Sequence, residues 1–471
     1  MKASKYGMFQ AMGLCSKYFK MNEDERNSLR DVRLRNIVEW SRENSPYYAR
    51  LYSSLGANYK LSDIPPINKL ELMNNWNDWV TDRSLNLEAV NDFMQDIDNI
   101  GRKLNGNYLV FTTSGSTGNP LVAVCDKTTN NVMGAINAIR SFARKEDIKC
   151  FIKKGGKTIG VFATGGFYLG NSSVRSRQLS MPWKKRQMDV TSALLPIDEI
   201  VAKLNQFQPT MLGGYPSNLE LLIDKKKSGE LDISPVLIMT GGEYLSDTLR
   251  KSLSDAFGCY VQTSYSCTEG GTIACECTEQ HFHINDDWVI VEPVDKENNP
   301  VPAGVQADKI LLTNLFNYTQ PFIRYEVTDR VILHNERCKC GNPSPWLQLE
   351  GRTDDVITFY SGKSEIKLPP LPIYAVLKEV HELQRFQLIA HSDGQFELRI
   401  EPVGDLNLRD AFLKAKAALE KHLLLHGITT VKIILSDKSP TQDAGSGKFK
   451  HIIQAKDCST IHMKESEKQN V

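Results

Sequence analysis

Apolar residues recur at helical spacing over the first hundred residues and gather into short runs after that. Val32, Leu34, Ile37, Val38 and Trp40 fall on one side of a helix entered from Asn27-Ser28-Leu29-Arg30. Ile64-Pro65-Pro66-Ile67-Asn68-Lys69 interrupts this pattern, which resumes at Leu70, so residues 1 to about 105 are expected to be mostly helical. Helix and strand then alternate. Tyr108-Leu109-Val110-Phe111, Leu121-Val122-Ala123-Val124, Thr158-Ile159-Gly160-Val161-Phe162, Met211-Leu212-Gly213-Gly214-Tyr215 and Val236-Leu237-Ile238-Met239-Thr240 read as strands. Residues 129–144, 197–205 and 218–227 read as helices, the last capped by Ser217. The alternation predicts an α/β fold of parallel sheets covered by helices, with ligands beyond the carboxyl ends of the strands.

Further on, Trp288-Val289-Ile290-Val291-Glu292 and Lys309-Ile310-Leu311-Leu312-Thr313-Asn314 read as strands, with Val301-Pro302-Ala303-Gly304 turning between them. The last stretch has the pattern of a small α+β unit. Its runs 385–390 and 395–400 flank the turn His391-Ser392-Asp393-Gly394, and a helix over 408–425 leads to a strand at 431–435. The boundaries expected are a large domain over 1–351, a small one over 352–458 and a polar, disordered tail over 459–471.

The chemistry centres on Phe111-Thr112-Thr113-Ser114-Gly115-Ser116-Thr117-Gly118-Asn119-Pro120, a hydroxyl- and glycine-rich loop held between two strands. Glycines there let successive N–H groups turn toward one anion, which suits a phosphate. It is not a Walker A loop, because Gly115 and Gly118 are too close and no Lys-Ser/Thr pair follows. A hydroxyl-rich turn without a ligand is the other reading. Two glycine pairs, in Gly213-Gly214-Tyr215-Pro216 and Gly241-Gly242-Glu243, fall at strand ends where a nucleotide would lie. Cys275, Cys277, His281 and His283 lie within ten residues, and Cys338-Lys339-Cys340-Gly341 adds two thiols on a turn. Such a set supplies the soft ligands of a tetrahedral Zn²⁺ site, or else a cluster of reduced, half-buried thiols.

The pattern Thr-Ser-Gly-Ser-Thr-Gly-x-Pro resembles the phosphate loop of the adenylate-forming superfamily, with Asn119 where many members carry lysine. Ser45-Pro46-Tyr47-Tyr48 and Asp63-Ile64-Pro65 resemble the phenylacetate-CoA ligase and coenzyme F390 synthetase-like (CapK-like) branch. The resemblance runs from about residue 35 to 455. It implies an acyl-CoA synthetase-like fold, a large amino-terminal domain and a small mobile lid, that joins a carboxylic acid to AMP and passes the acyl group to a thiol. Ser264-Tyr265-Ser266-Cys267-Thr268-Glu269 resembles the Tyr-Gly-x-Thr-Glu motif, with Ser266 for glycine. By that likeness Tyr265 stacks on adenine, Thr268 touches the α-phosphate, Glu269 holds Mg²⁺, and Gly242 and Glu243 face the adenine edge. Pro321-Phe322-Ile323-Arg324-Tyr325-Glu326-Val327-Thr328-Asp329 is similar to the stretch whose aspartate binds the ribose, a role that falls on Asp329. Arg324 belongs either to the nucleotide pocket or to a structural ion pair.

Gly351-Arg352-Thr353-Asp354-Asp355 resembles the hinge motif, implying Arg352 as a ribose or phosphate contact and Asp355 as the swivel. Ser446-Gly447-Lys448 looks like the catalytic-lysine loop. Thr113, Ser114, Gly115, Ser116, Thr117 and Gly118 would cradle the phosphates of ATP. The branch shows a similar Glu-Cys…His and Cys-x-Cys-Gly pairing, which implies Cys277, His283, Cys338 and Cys340 as structural zinc ligands joining two hairpins. Family sites build the acyl pocket from strand-end loops, which points to Phe167, Tyr168, Gly214 and Tyr215 and to a flat aryl or arylacetic acid, with Arg175 and Arg177 nearby. The acceptor is CoA or a carrier protein. An amine or polymer acceptor, and a nucleotide-binding protein without ligase activity, are the alternatives.

Composition narrows the partners. The 471 residues carry 57 basic and 56 acidic side chains, a formal net charge of +1, which gives no field suited to nucleic acid or to a membrane surface. No apolar run approaches the roughly 20 residues of a membrane span, and the residues after Met1-Lys2-Ala3-Ser4-Lys5 are too polar for a signal-peptide core, so a cytoplasmic location is the expectation. Ten cysteines in a chain this long do not make a disulfide framework. A homodimer stays open.

Overall fold

The computed structural model of the chain describes residues 4–113, 120–352, 357–361, 364–368, 370–425, 428, 431–442 and 449–455. They divide into two units, the first holding 4–327 and 331–349, the second 328–330 and the described residues from 350 onward.

The first unit opens with helices. Glu23–Asn44 starts at Asn22, whose side chain accepts from the Glu25 amide while the Glu25 carboxylate accepts from the Asn22 amide, satisfying two end donors reciprocally. Its buried stripe is Leu34, Ile37 and Val38 together with Arg33 and Ser41. Val32, expected on that stripe, instead faces solvent at 56% exposure. Arg33 replaces it inside because its guanidinium lies 3.6 Å above the Trp288 ring and donates to the Asp287 carbonyl.

Strands build the rest. β1 (Leu109–Thr112) and β2 (Val122–Cys125) form an antiparallel hairpin. β3 (Thr158–Phe162), β4 (Met188–Ser192), β5 (Met211–Gly214), β6 (Leu237–Gly241) and β7 (Tyr260–Cys267) pair in parallel, and β8 (Gly271–Glu276) and β9 (Phe282–Ile284) continue the sheet antiparallel. β10 (Val289–Val294), β11 (Lys309–Asn314) and β12 (Tyr325–Val327) make a separate antiparallel sheet. β13 (Asp329–His334) and β14 (Trp346–Arg352) complete the large sheet, in the order β13-β14-β9-β8-β7-β6-β5-β3-β4. The parallel half is covered by helices such as Ile197–Phe207, Pro216–Lys227 and Asp247–Phe257, which bury Leu204, Leu219 and Leu253 against Ile159, Leu212 and Ile238. This is the α/β arrangement that the alternating pattern predicts. Ser217 is not a helix cap, as expected from sequence, but lies in the first turn of Pro216–Lys227, with Tyr215 at the cap position.

In the second unit, β15 (Ile357–Ser361) and β16 (Ser364–Leu368) form a hairpin. β17 (Leu383–Ala390), β18 (Gln395–Pro402), β19 (Lys432–Leu435) and β20 (Ile452–Gln454) form a sheet in the order β19-β18-β17-β20. Alternate residues Phe396, Leu398 and Ile400 of β18 are buried, and helix Leu408–Leu425 turns the stripe Ala411, Ala415, Leu419 and Leu423 inward.

Arg324 fastens the amino-terminal segment to the central strands. Its backbone is left-handed, φ 50°, with its amide on Thr313 Oγ1 at 2.9 Å and its carbonyl accepting from the Ile67 amide at 3.0 Å. The buried guanidinium donates to Glu292 at 3.1 Å and to the Ile64 and Ser62 carbonyls. Of the two roles open to Arg324 in the sequence, its contacts are those of the structural ion pair. Arg324→Ala should lower stability by about 3 kcal/mol, since Glu292 is left half-buried without its cation. Arg324→Gly, which tolerates the left-handed backbone, should lose roughly 1 kcal/mol less than the alanine variant. Urea unfolding of the three proteins tests this, and an alanine variant as stable as wild type would refute the role.

Candidate functional site

The parallel strands align their carboxyl ends, since Val161 of β3 stands opposite Gly214 of β5, Gly214 opposite Thr240 of β6, and Gly241 opposite Ser264 of β7. The loops that follow therefore leave one edge of the sheet together. They carry Phe167 and Tyr168, Tyr215, Gly242 and Glu243, and the turn after Tyr265. Glycines shape this edge. Phe162 lays its ring across Gly160 and Gly213, where an added Cβ would come within 2.6 and 3.4 Å of it, and meets Tyr215 edge-on at 5.2 Å. Gly214 is required for packing: a Cβ there would sit 2.8 Å from Leu219. The Tyr215 hydroxyl lies 3.5 Å from the Ala163 amide, and burial pushes its phenol up to about 12. Tyr168 packs its ring on Gly166, and Asn171 clamps the loop by donating to the Thr164 and Gly166 carbonyls at 2.8 and 3.2 Å.

Glu243 joins two of these ends. Its carboxylate accepts from the amide and the hydroxyl of Ser217, each at 3.0 Å, and so neutralises the amino-terminal turn of Pro216–Lys227.

The phosphate-loop candidates begin at Thr113. Its hydroxyl oxygen accepts from the Leu121 amide at 2.8 Å, and its own amide donates to the Leu121 carbonyl at 3.1 Å, which closes the hairpin. Next to it, the Thr112 amide donates to the Phe167 carbonyl at 2.8 Å, tying the hairpin to the edge above. Ser114, Gly115, Ser116, Thr117, Gly118 and Asn119 lie outside the described residues, as do Asp355 and Lys448. Arg352 ends β14, its side chain outside the described ones, and Asp329 opens β13.

β7 runs through its motif, with a bulge between Tyr265 and Ser266. Tyr265 is buried in the larger core, and Thr268 is half-buried in the turn to β8. Glu269 follows at 9% exposure and is held at both ends: Asn314 Nδ2 donates to its carbonyl at 2.9 Å, and the Tyr325 hydroxyl donates to its Oε1 at 3.1 Å. Neither holding residue stood out from sequence. Their only signal is position, Asn314 at the end of one strand and Tyr325 at the start of the next.

A second constellation lies where the β8–β9 and β13–β14 hairpins meet, with Trp346 opposite His283 in register. One ligand atom from each of Cys277, His283, Cys338 and Cys340 falls within 4.8 Å of all the others. His283 Nδ1 lies 2.8 Å from the Ser344 carbonyl, so it carries the proton and leaves Nε2, which is 3.2 Å from Cys340 Sγ, as a ligand. Burial lowers the His283 imidazole and pushes the Cys277 thiol up to about 12, so metal entry displaces thiol protons. Sequence reasoning named His281 as a neighbour of the set but missed His334 and Trp346. His281 and His334 each stack parallel on Trp346, at 3.7 and 3.8 Å, and therefore occupy opposite faces of its indole. His281 Nδ1 also reaches Cys338 Sγ at 3.3 Å. Three sulfurs and an imidazole at this spacing fit tetrahedral zinc without an open position.

No family model matches the chain. A phenylacetate-coenzyme A ligase of Thermus thermophilus is 24% identical over 398 residues, 80% of this chain and 82% of that one. Protein CapK of Staphylococcus aureus is 24% identical over 329 residues, 65% of this chain and 63% of its own length. The crystal structure of 2-hydroxyisobutyryl-CoA ligase with its acyl-AMP superposes with a TM-score of 0.67 at 19% identity, covering 96% of this chain and 94% of that one. The fold is that of the adenylate-forming CoA ligases. The sequences similar to this chain are those of a phenylacetate-coenzyme A ligase and of protein CapK. Among the described residues no helix is long and apolar enough to cross a membrane.

Protein purified with zinc in the medium should carry about one zinc per chain. Its apparent affinity for zinc should fall as pH drops, because the thiols must lose protons to bind. Cys338→Ser should lose the metal and several degrees of thermal midpoint. A metal-free chain whose midpoint ignores both zinc and chelator would rule the centre out.

Proposed function

We propose that this chain uses ATP and Mg²⁺ to convert a carboxylic acid into an acyl-adenylate, then transfers the acyl group to the thiol of coenzyme A. The observation that carries this reading is Glu269, a buried carboxylate fixed through Tyr325 and Asn314 at the end of a central strand, in a chain similar to a phenylacetate-coenzyme A ligase and folded like a 2-hydroxyisobutyryl-CoA ligase.

The acid's carboxylate attacks the α-phosphorus of ATP, the bond to the β-phosphate oxygen breaks, and pyrophosphate leaves. Such a displacement needs alignment and charge more than covalent help from protein. Mg²⁺ on Glu269 would neutralise charge on the phosphate oxygens. Thr113 accepts the Leu121 amide with its oxygen and so keeps its O–H to donate to a phosphate. Ser114, Ser116 and Thr117 would offer further hydroxyls and Gly115 and Gly118 their amides, and Thr268 adds a hydroxyl one residue before Glu269. Tyr265 and the Gly242-Glu243 segment hold the base, while Asp329 and Arg352 hold the sugar. Lys448 supplies the cation for adenylation and withdraws about Asp355 for thioester formation.

The acid we assign is aromatic or arylacetic. Phe162, Phe167, Tyr168 and Tyr215 give the loops flat apolar surfaces, and the nearby cations are engaged or turned elsewhere. Arg175 meets Gln178 and Asp189, and Arg177 lies against Gly134 of helix Lys127–Arg140. Acid-dependent pyrophosphate release across aryl, arylacetic, fatty and amino acids, with and without CoA, tests the reading. Release should require one acid class and rise with CoA, and Lys448→Ala should slow it at least a hundredfold. Silence across the panel, or a Lys448→Ala variant as fast as wild type, would defeat it.

A further inference from the structure

We propose that Tyr325 is a positioning residue for the divalent cation: by engaging one oxygen of Glu269 it aims the other at the metal. The inference rests on the function proposed above, in which Glu269 carries Mg²⁺.

A glutamate has three rotatable bonds, and an unrestrained one presents its oxygens in many directions, so a cation must order it on binding. Here that ordering is already in place. The hydroxyl–carboxylate bond of 3.1 Å joins two buried groups, so it exchanges poorly with water and is charge-assisted when the carboxylate is ionised. Oε2 meets no hydrogen-bond donor among the described residues, and is the oxygen left for a hard cation.

Tyr325 is itself fixed. Its ring meets Phe322 edge-on at 5.4 Å, and Phe322 meets Trp79 the same way at 5.0 Å. Its backbone stands opposite Leu312 in β11 and bridges to Ile67. Asn314, two residues beyond Leu312, holds the Glu269 carbonyl. The β11–β12 pair thus delivers both restraints on Glu269, one on its main chain and one on its side chain. A rigid pair of strands keeps such geometry better than a loop does.

The full chain tests this through Tyr325→Phe, which removes one oxygen and keeps the ring. The Mg²⁺ concentration for half-maximal pyrophosphate release should rise about tenfold, while the KM of the acid stays within about twofold. Mn²⁺ binding in the presence of ATP, followed by electron paramagnetic resonance, should weaken by a similar factor. Adding Tyr325→Phe to Glu269→Gln should shift the Mg²⁺ curve no further than Glu269→Gln alone. Tyr47→Phe, which deletes a comparable tyrosine–glutamate bond to Glu71 in the helical region, should leave the curve in place. An active Tyr325→Phe enzyme with the wild-type Mg²⁺ requirement, or an additive double variant, overturns the positioning role alone. A wild-type chain that binds no Mn²⁺·ATP overturns the proposed function and the positioning role together.

Discussion

The buried turn from Asn314 to Tyr325 is the constraint on which the rest of the first unit depends. Asn314, Asn317, Thr319, Gln320 and Arg324 are all buried there, and polar groups removed from water must find partners or cost several kcal/mol each. They find them in every direction. Gln320 accepts from the Val124 amide at 2.7 Å and donates to the Val122 carbonyl at 3.1 Å, acting as a strand along the open edge of the β1–β2 hairpin. Tyr48 and Trp79 both donate to the Pro321 carbonyl, and Trp40 and Thr81 to that of Tyr318. Since no member can leave without stranding another, the network is held as a whole or not at all. The amino-terminal helices are therefore more than a cover: they buttress the turn that steadies both the β1–β2 hairpin and Glu269.

What could be read from the sequence was local. Glycine pairs at strand ends and alternating strands follow from residue type and spacing within a few positions, and the structure sets those ends along one edge. The cysteine–histidine set could be named because few residue types make soft ligands and the family resemblance singled out Cys277 and His283 among their neighbours, although its grouping runs from Cys277 to Cys340. The engagement of Glu243 with Ser217 could not be foreseen. Nothing near either residue encodes a contact across twenty-six positions, and a serine before a helical run reads as a cap. Val32 and Arg33 failed for a related reason, because apolar periodicity cannot anticipate an arginine drawn inside by an indole face and a carbonyl. Tyr325 was hidden by its neighbours, a tyrosine in a strand being ordinary until its hydroxyl is seen on a carboxylate.

The two halves of the large sheet divide the work. In the parallel half, Phe162 rests on glycines, and the loops at 162–168 and 213–216 pack mainly through rings and small residues. Such contacts tolerate exchange of one apolar side chain for another with modest loss. The antiparallel half, with the neighbouring β10–β12 sheet, carries the directional hydrogen bonds to Glu269 and the thiol cluster, where a lost partner leaves a buried group exposed to its full desolvation cost. Under the proposed function, the acid is met by the forgiving half and the nucleotide by the demanding one. The choice of acid can then drift through substitutions among Phe162, Phe167, Tyr168 and Tyr215 while the cation geometry stays pinned by Tyr325 and Asn314. Under that function, the residues that would set specificity and those that would set phosphate chemistry differ in kind, rings and glycines against buried polar pairs.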